Sequence, residues 1–189
     1  MKTFEQMVTL FENANQTFIQ QDIGLFKSGV SERTLCGALM LHMHDLISKN
    51  DDFTNYYTDV EYNRNKGGRI KNIKKTIQGI DEQVVSITCD LILHSRGTCT
   101  EQDNLIAVEM KKSNRTPRDK KADKERLMAL TKDSYDDVWS FDGKTLPEYV
   151  CRYLLGVYYE INYSCHLIKI EYYRRGQLEK TYEISYQDY

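Results

Sequence analysis

The hydrophobic and polar positions of this 189-residue chain predict helices in its first quarter and β-strands in its last third. Apolar residues recur at mostly helical spacing over residues 3–20, which predicts an amphipathic helix that packs on the core. A second helix is predicted after Ser31, whose hydroxyl can cap the helix start. Its apolar residues are expected to face inward: Leu35, Leu39, Leu41, Leu46 and Ile47. Glu32 then lies in the first turn, where the helix dipole alone favours an acid.

Shorter apolar runs predict the strands. Residues 56–64 alternate, and the runs Leu91–Leu93 and Leu105–Val108 flank a polar connection, which is typical of a β-hairpin with a longer loop. Runs rich in Tyr, Val and Ile predict two consecutive hairpins over residues 149–161, 165–173 and 178–186. The tyrosines there fit either a structural use or stacking on nucleic-acid bases.

These elements predict a single α/β domain over residues 1–189. Its mixed central sheet is formed by residues 56–64, 87–95, 104–111 and the C-terminal strands, and it is flanked by the N-terminal helices and a charged helix at 119–132. Between the first two strands, Asn65–Lys75 carries a glycine pair and five Lys or Arg residues, which predicts a mobile loop.

Composition narrows the cellular setting. Five scattered cysteines without a CxxC motif fit reduced thiols, with Cys36 and Cys151 as small buried hydrophobes. The first residues lack the apolar stretch of a secretory signal, and no run of eighteen apolar residues occurs. We therefore expect a cytoplasmic protein with no membrane association.

Charge is unevenly distributed along the chain. The formal net charge of −2 argues by itself against a polyanionic partner. However, Arg64–Lys75 and Lys111–Arg126 are both rich in basic residues. Such segments are either solubilising surfaces or a site for the phosphate backbone of nucleic acid.

The candidate chemistry lies in the hairpin of residues 88–112. Asp90 opens its first strand, and Glu109 and Lys111 close the second, where side chains two apart share one face. Two carboxylates held close together repel each other unless a cation lies between them, and oxygen ligands select Mg²⁺ or Mn²⁺. The alternative is a solvated hairpin end whose charges alternate by chance.

At these residues the chain resembles a known family. Asp90 and Glu109-Met110-Lys111, with eighteen residues between the two acids, resemble the PD-(D/E)xK nuclease superfamily of restriction-endonuclease-like fold. Further similar segments, in the same order, extend the resemblance over roughly residues 30–130: Ser31-Glu32-Arg33, Asp59–Arg64 and Asp123–Leu127. Cys89 stands where the superfamily has a proline without a chemical role.

The resemblance implies a Mg²⁺- or Mn²⁺-dependent nuclease that hydrolyses phosphodiester bonds. Asp90 and Glu109 would bind the cation, and Lys111 would serve the attacking water or the transition state. Glu32 would assist the metal, although helix capping explains it equally well, and Glu61 is either a further site acid or an exposed charge at a strand end.

Five basic residues near this hairpin are candidates for nucleic-acid binding: Arg64, Lys66, Arg69, Lys112 and Lys124. Among the basic residues of the charged helix, Lys124 is expected to lie nearest the site. DNA is the favoured substrate, and the expected setting is defence or mobile elements. The sequence leaves open whether the protein forms a homodimer or binds a partner protein. The alternative function is an inactive nucleic-acid-binding or assembly subunit that retains the fold, and a structural or interaction protein is a third hypothesis.

Overall fold

The computed structural model of the chain describes residues 1–61, 72–75, 83–86, 89–133, 151–187 and 189, and it describes 72–75 and 83–86 by their backbone alone. Within these residues the structure is α/β, with four α-helices and eight strands. No helix among them combines the length and the apolar character needed to cross a bilayer.

Three helices come first: α1 (Phe4–Gln21), α2 (Ile23–Ser28) and α3 (Glu32–Ser48). A capping box at Thr3 begins α1. Ser31 caps α3 as predicted, because its hydroxyl accepts a hydrogen bond from the Thr34 N–H, and Glu32 therefore lies in the first turn. The prediction that Leu41 faces inward is wrong: it is 62% exposed, because it lies two residues after buried Leu39 and so on the other side of the helix. A short 3₁₀ turn, Asp51–Phe53, leads from α3 into the first strand.

The strands form two sheets. A small antiparallel pair consists of β2 (Asn72–Lys75) and β3 (Gln83–Ser86). The main sheet has the order β1-β4-β5-β6-β7-β8 and is antiparallel except between β5 and β6, which are parallel. Its strands are β1 (Tyr57–Val60), β4 (Leu91–His94), β5 (Asn104–Lys112), β6 (Leu155–Asn162), β7 (Leu167–Arg174) and β8 (Gln177–Ser185).

Helices cover both faces of this sheet. The larger core joins α1 and α3 to alternate residues of β4 and β5, including Leu91, Leu93, Ile106, Val108 and Met110. The intervening residues Ile92 and Ala107 face a smaller core under α4 (Pro117–Leu130). This alternation sends the side chains of Glu109 and Lys111 towards α4 rather than towards α3.

Helix α4 lies in the crossover that joins the two parallel strands β5 and β6, a connection that a tight turn cannot make. Thr116 caps it by accepting a hydrogen bond from the Asp119 N–H, and Pro117 occupies its first turn. The helix therefore begins two residues before the predicted start at 119, because the proline is the first helical residue rather than part of the preceding loop.

Most of the predicted strands are confirmed, and the loop predicted between the first two of them is wrong in part. The 91–93 and 105–108 hairpin and both C-terminal hairpins are present as antiparallel pairs. The predicted loop Asn65–Lys75 is wrong over its last four residues, which form β2 because β3 supplies backbone partners eight or more residues away. Residues 65–71 of that loop lie outside the described residues, as do Arg64, Lys66 and Arg69.

The C-terminal tyrosines and two cysteines are used structurally. Cys36 and Cys151 are both buried, as predicted. Tyr159 is fully buried, and its hydroxyl donates to Asn15 Oδ1 of α1 at 2.8 Å, so the sheet is tied to the first helix. Burial also makes these tyrosines unavailable for stacking on bases: Tyr158, Tyr159, Tyr172, Tyr173 and Tyr186.

The contact of α4 with β6 depends on a glycine. A Cβ added at Gly156 would lie 3.0 Å from Thr131 Cγ2 and 3.1 Å from Tyr173 Cβ.

Gly156→Ala should therefore destabilise the protein by about 1–3 kcal/mol, measured by urea denaturation. Gly37→Ala is the control, because nothing lies within 4 Å of its Cβ position in α3 and alanine should stabilise that helix by about 0.5–1 kcal/mol. Equal stability of the two variants would contradict the close approach.

Candidate functional site

The hairpin brings the predicted acids together. Asp90 immediately precedes β4, and the pairing of Leu91 with Val108 continues to place Asp90 opposite Glu109. The carboxylate of Asp90 accepts a hydrogen bond from the Met110 N–H at 2.8 Å, which fixes it on the end of β5. The prediction that Asp90 and Glu109 meet at adjacent strand ends, with Lys111 on the face of Glu109, agrees with this geometry.

Helix α4 adds two further charged side chains to this group. Lys111 Nζ lies 2.9 Å from Asp123 Oδ2, and Arg126 Nη1 lies 2.6 Å from Glu109 Oε1. Arg126 Nη1 is also 3.4 Å from Asp123 Oδ1, one helical turn away. We call these five residues the acid–base cluster: Asp90, Glu109, Lys111, Asp123 and Arg126.

Burial sets the protonation of the two acids. Loss of hydration raises the pKa of Glu109 to about 8, and the negative charge of Asp90 adds to the rise while Arg126 opposes it. Burial also raises the pKa of Asp90, against the opposing effects of the Met110 N–H and Lys111. Because ionisation of these two neighbouring carboxyl groups is unfavourable, a cation that neutralises their charge would bind favourably beside them.

Lys111 remains a cation in the same surroundings. Burial alone would lower its pKa, but the ion pair with Asp123 outweighs burial and raises the pKa above the ordinary value, with Asp90 and Glu32 adding to the effect. The side chain of Lys111 thus offers a fixed positive charge among three acids.

Glu32 approaches from the opposite face, at the start of α3. Its Oε1 accepts the Lys112 N–H at 2.9 Å, and Arg115 binds both carboxylate oxygens at 3.0 and 3.2 Å. Partial burial opposes ionisation, but these hydrogen bonds outweigh it and lower the pKa of Glu32. Glu32 is therefore ionised, and these hydrogen bonds fix its carboxylate. Its negative charge contributes to raising the pKa values of Asp90 and Lys111.

An open cleft of about 310 Å³ lies between α3 and the strand ends, with Asp90 and Glu32 among its lining residues. Glu61 lies at this cleft and forms a two-bond ion pair with Arg33 of α3, so it borders the site without joining the acid–base cluster. Glu109 does not line the cleft, because its side chain is only 1% exposed.

The predicted basic residues have separate positions. Lys112 lines the cleft, where its Nζ donates to the Gly29 carbonyl at 3.0 Å. Lys124 donates to Glu171 at 2.7 Å and lies over the Tyr158 ring. The prediction that Lys124 is the basic residue of this helix nearest the site is wrong, because Arg126, two residues further on and on the other side of the helix, contacts Glu109.

Asp123 and Arg126 were not predicted as partners of the hairpin residues. The signal for them is their spacing with Leu127 and Leu130, since positions i, i+3, i+4 and i+7 of a helix share one face. Charged residues on the buried face of a helix need partners across the interface, and those partners are Lys111 and Glu109.

The acids can be tested for their fit to a metal. Among the residues that the structure describes, no group of three or more His, Cys, Asp or Glu is arranged to hold a metal ion. Mg²⁺ is commonly held by only one or two carboxylates together with water and substrate phosphate. Glu109 Oε2 is buried and has no hydrogen-bond partner among the described residues, so Asp90 and Glu109 fit such a two-carboxylate site.

Comparisons with protein-family models, with curated proteins and with solved structures find no match to this chain. The resemblance to the PD-(D/E)xK superfamily therefore stays a prediction that rests on the residues themselves. Cys89, the departure from that pattern, is buried, and burial together with the charge of Glu109 raises its pKa, so the thiol beside the acids is neutral.

The pKa of Glu109 predicts a specific pH dependence. An ordinary Glu ionises near pH 4.5 and the folded-state group near 8, so the folded protein holds one more proton in between and loses stability as the pH rises through this window. Urea denaturation in chelator should show wild type losing on the order of 2–4 kcal/mol more than Glu109→Gln from pH 5 to pH 8.5. Parallel stability profiles for the two proteins would show that Glu109 ionises normally.

Proposed function

We propose that this chain is a metal-dependent nuclease of the PD-(D/E)xK type, with a restriction-endonuclease-like arrangement of its mixed sheet. The observation that carries the proposal is the meeting of Asp90 and Glu109 at one end of the β4–β5 hairpin, with Lys111 on the same face. Each is a residue type that phosphodiester hydrolysis uses. Burial raises the pKa of both acids, and the ion pair with Asp123 raises that of Lys111.

Asp90 and Glu109 would hold Mg²⁺ or Mn²⁺. The bound ion would polarise the phosphoryl oxygen and make a bound water more acidic. Lys111 would orient the attacking water and offset charge on the scissile phosphate. Asp123 keeps the Lys111 ammonium charged and positions it, through the 2.9 Å ion pair.

The substrate would enter by the cleft that Asp90 lines. Two arginines and a lysine lie around it, Arg33, Lys112 and Arg115, and each can contact a phosphate backbone. Arg33 and Arg115 are more than half exposed, although both are paired with glutamates in the absence of substrate. DNA is the favoured substrate.

A second function is favoured by one observation. Glu109 is paired with Arg126 and Lys111 with Asp123, so the site residues already neutralise one another without a metal. This arrangement suits a nucleic-acid-binding or assembly subunit that has retained the fold without catalysis.

Cleavage assays distinguish the two functions. With Mg²⁺ or Mn²⁺, wild type should cut plasmid or single-stranded DNA, and Asp90→Asn and Lys111→Ala should each lower the rate by about 10²-fold or more. Lys120→Ala is the matched control for Lys111→Ala, because Lys120 is similarly buried and forms a 2.8 Å ion pair with Glu160. Binding of DNA or RNA without cleavage under any condition would select the inactive subunit.

The role of Glu32 is tested separately. Glu32→Gln loses the ion pair with Arg115 and should lower the free energy of unfolding by about 0.3–1 kcal/mol in chelator. If Glu32 assists the metal, the same variant should also need several-fold more Mg²⁺ for half-maximal cleavage.

Arg115→Ala is the control for Glu32→Gln, since it removes the same ion pair but keeps the carboxylate. It should lose similar stability without needing more Mg²⁺. An unchanged Mg²⁺ requirement in Glu32→Gln would leave Glu32 with a structural role alone.

A further inference from the structure

The acid pair already contains a cation. Arg126 extends from α4 onto Glu109, with Nη1 2.6 Å from Oε1. The side chain of Glu109 is 1% exposed and that of Arg126 is 22% exposed, so the contact lies largely out of water. A guanidinium on this carboxylate repels a divalent ion bound to it, so the two cations compete for the charge of Glu109.

The geometry of this contact differs from that of the two arginine–carboxylate pairs that line the cleft. Arg33 with Glu61 and Arg115 with Glu32 each form two hydrogen bonds, one through Nε and one through a terminal nitrogen. Paired bonds of this kind are the strong form of the interaction. Arg126 makes a single bond to Glu109.

The single bond leaves hydrogen-bonding capacity unused in a buried place. Glu109 Oε2 and Arg126 Nε are both buried and have no hydrogen-bond partner in the described part of the chain. Buried polar atoms without partners are costly, and two of them on the two sides of one ion pair indicate a contact that is not optimised for stability.

Arg126 also has a second acid within reach. Its Nη1 lies 3.4 Å from Asp123 Oδ1 on the same helix. The guanidinium can therefore leave Glu109 and remain paired with Asp123. Asp123 at present holds Lys111, so a closer approach of Arg126 would weaken that hold on the Lys111 ammonium.

We propose that Arg126 is an exchangeable counter-ion, which pairs with Glu109 in the metal-free protein and yields its place to the divalent cation. The inference rests on the proposed function, because it concerns the same acid pair. It makes Arg126 a regulator of metal affinity rather than a catalytic residue, and it explains how acids buried beside each other tolerate the absence of metal.

A Mg²⁺ titration of the melting temperature tests this without nucleic acid or cleavage. The proteins are wild type, Arg126→Ala, Asp90→Asn and the control Lys120→Ala, at pH 8.5 to favour ionised carboxylates. Arg126→Ala should melt below wild type in chelator and be half-saturated at roughly tenfold lower Mg²⁺, because no internal cation competes. Lys120→Ala, which breaks an ion pair of the same helix away from Glu109, should be half-saturated as wild type is.

The other possible results of this titration distinguish a failure of the Arg126 exchange from a failure of the metal site itself. If Arg126→Ala needs as much Mg²⁺ as wild type or more, while Asp90→Asn abolishes the shift, the exchange is wrong and the metal site stands. If no protein responds to Mg²⁺, both the exchange and the proposed metal-dependent function are wrong. If Arg126→Ala does not fold, Arg126→Lys takes its place in the titration. This variant keeps a cation beside Glu109, so its half-saturating Mg²⁺ concentration should fall by less than tenfold. A concentration equal to that of wild type or higher would show that the exchange is wrong.

Discussion

Neutralisation of buried carboxylates is the constraint on which this end of the molecule depends. Asp90 and Glu109 are placed opposite each other by the register of β4 and β5, and burial makes their two charges expensive. A backbone N–H from β5 and a guanidinium from α4 reduce that cost. The position of α4 against the sheet therefore depends on charge as well as on its short apolar stripe.

The same constraint appears on the α3 side with a different outcome. Glu32 is tied to the end of β5 through the Lys112 N–H and to Arg115 through two bonds, and its pKa is lowered rather than raised. The protein thus holds one ionised acid and two acids that resist ionisation within a single region. Environments that separate the pKa values of neighbouring acids are a frequent feature of catalytic sites.

Local patterns in the sequence were sufficient for α1, α3 and α4, for the hairpins of the main sheet and for the meeting of Asp90 with Glu109, whereas α2 and the β2–β3 pair were not predicted. Ser31 signals the start of α3 by its own side chain, and period-two alternation identifies the strands because one face of each is buried. The parallel pairing of β5 with β6 and the partners of Asp123 and Arg126 depend on contacts between distant segments. The raised pKa of Glu109 could not be predicted from the sequence either, because it depends on burial and on neighbouring charges rather than on residue type.

The close seating of α4 on Gly156 limits how the acid–base cluster can move. With Thr131 and Tyr173 both near the glycine Cα, the end of the helix has no space to shift towards β6. A change at Arg126 that moved this end of the helix towards β6 is therefore excluded, whereas a rotation about its side-chain bonds is not. Such rotations at partly exposed residues are complete long before the microsecond to millisecond motions of helices and domains, so the proposed exchange of Arg126 for a cation would need no movement of the backbone.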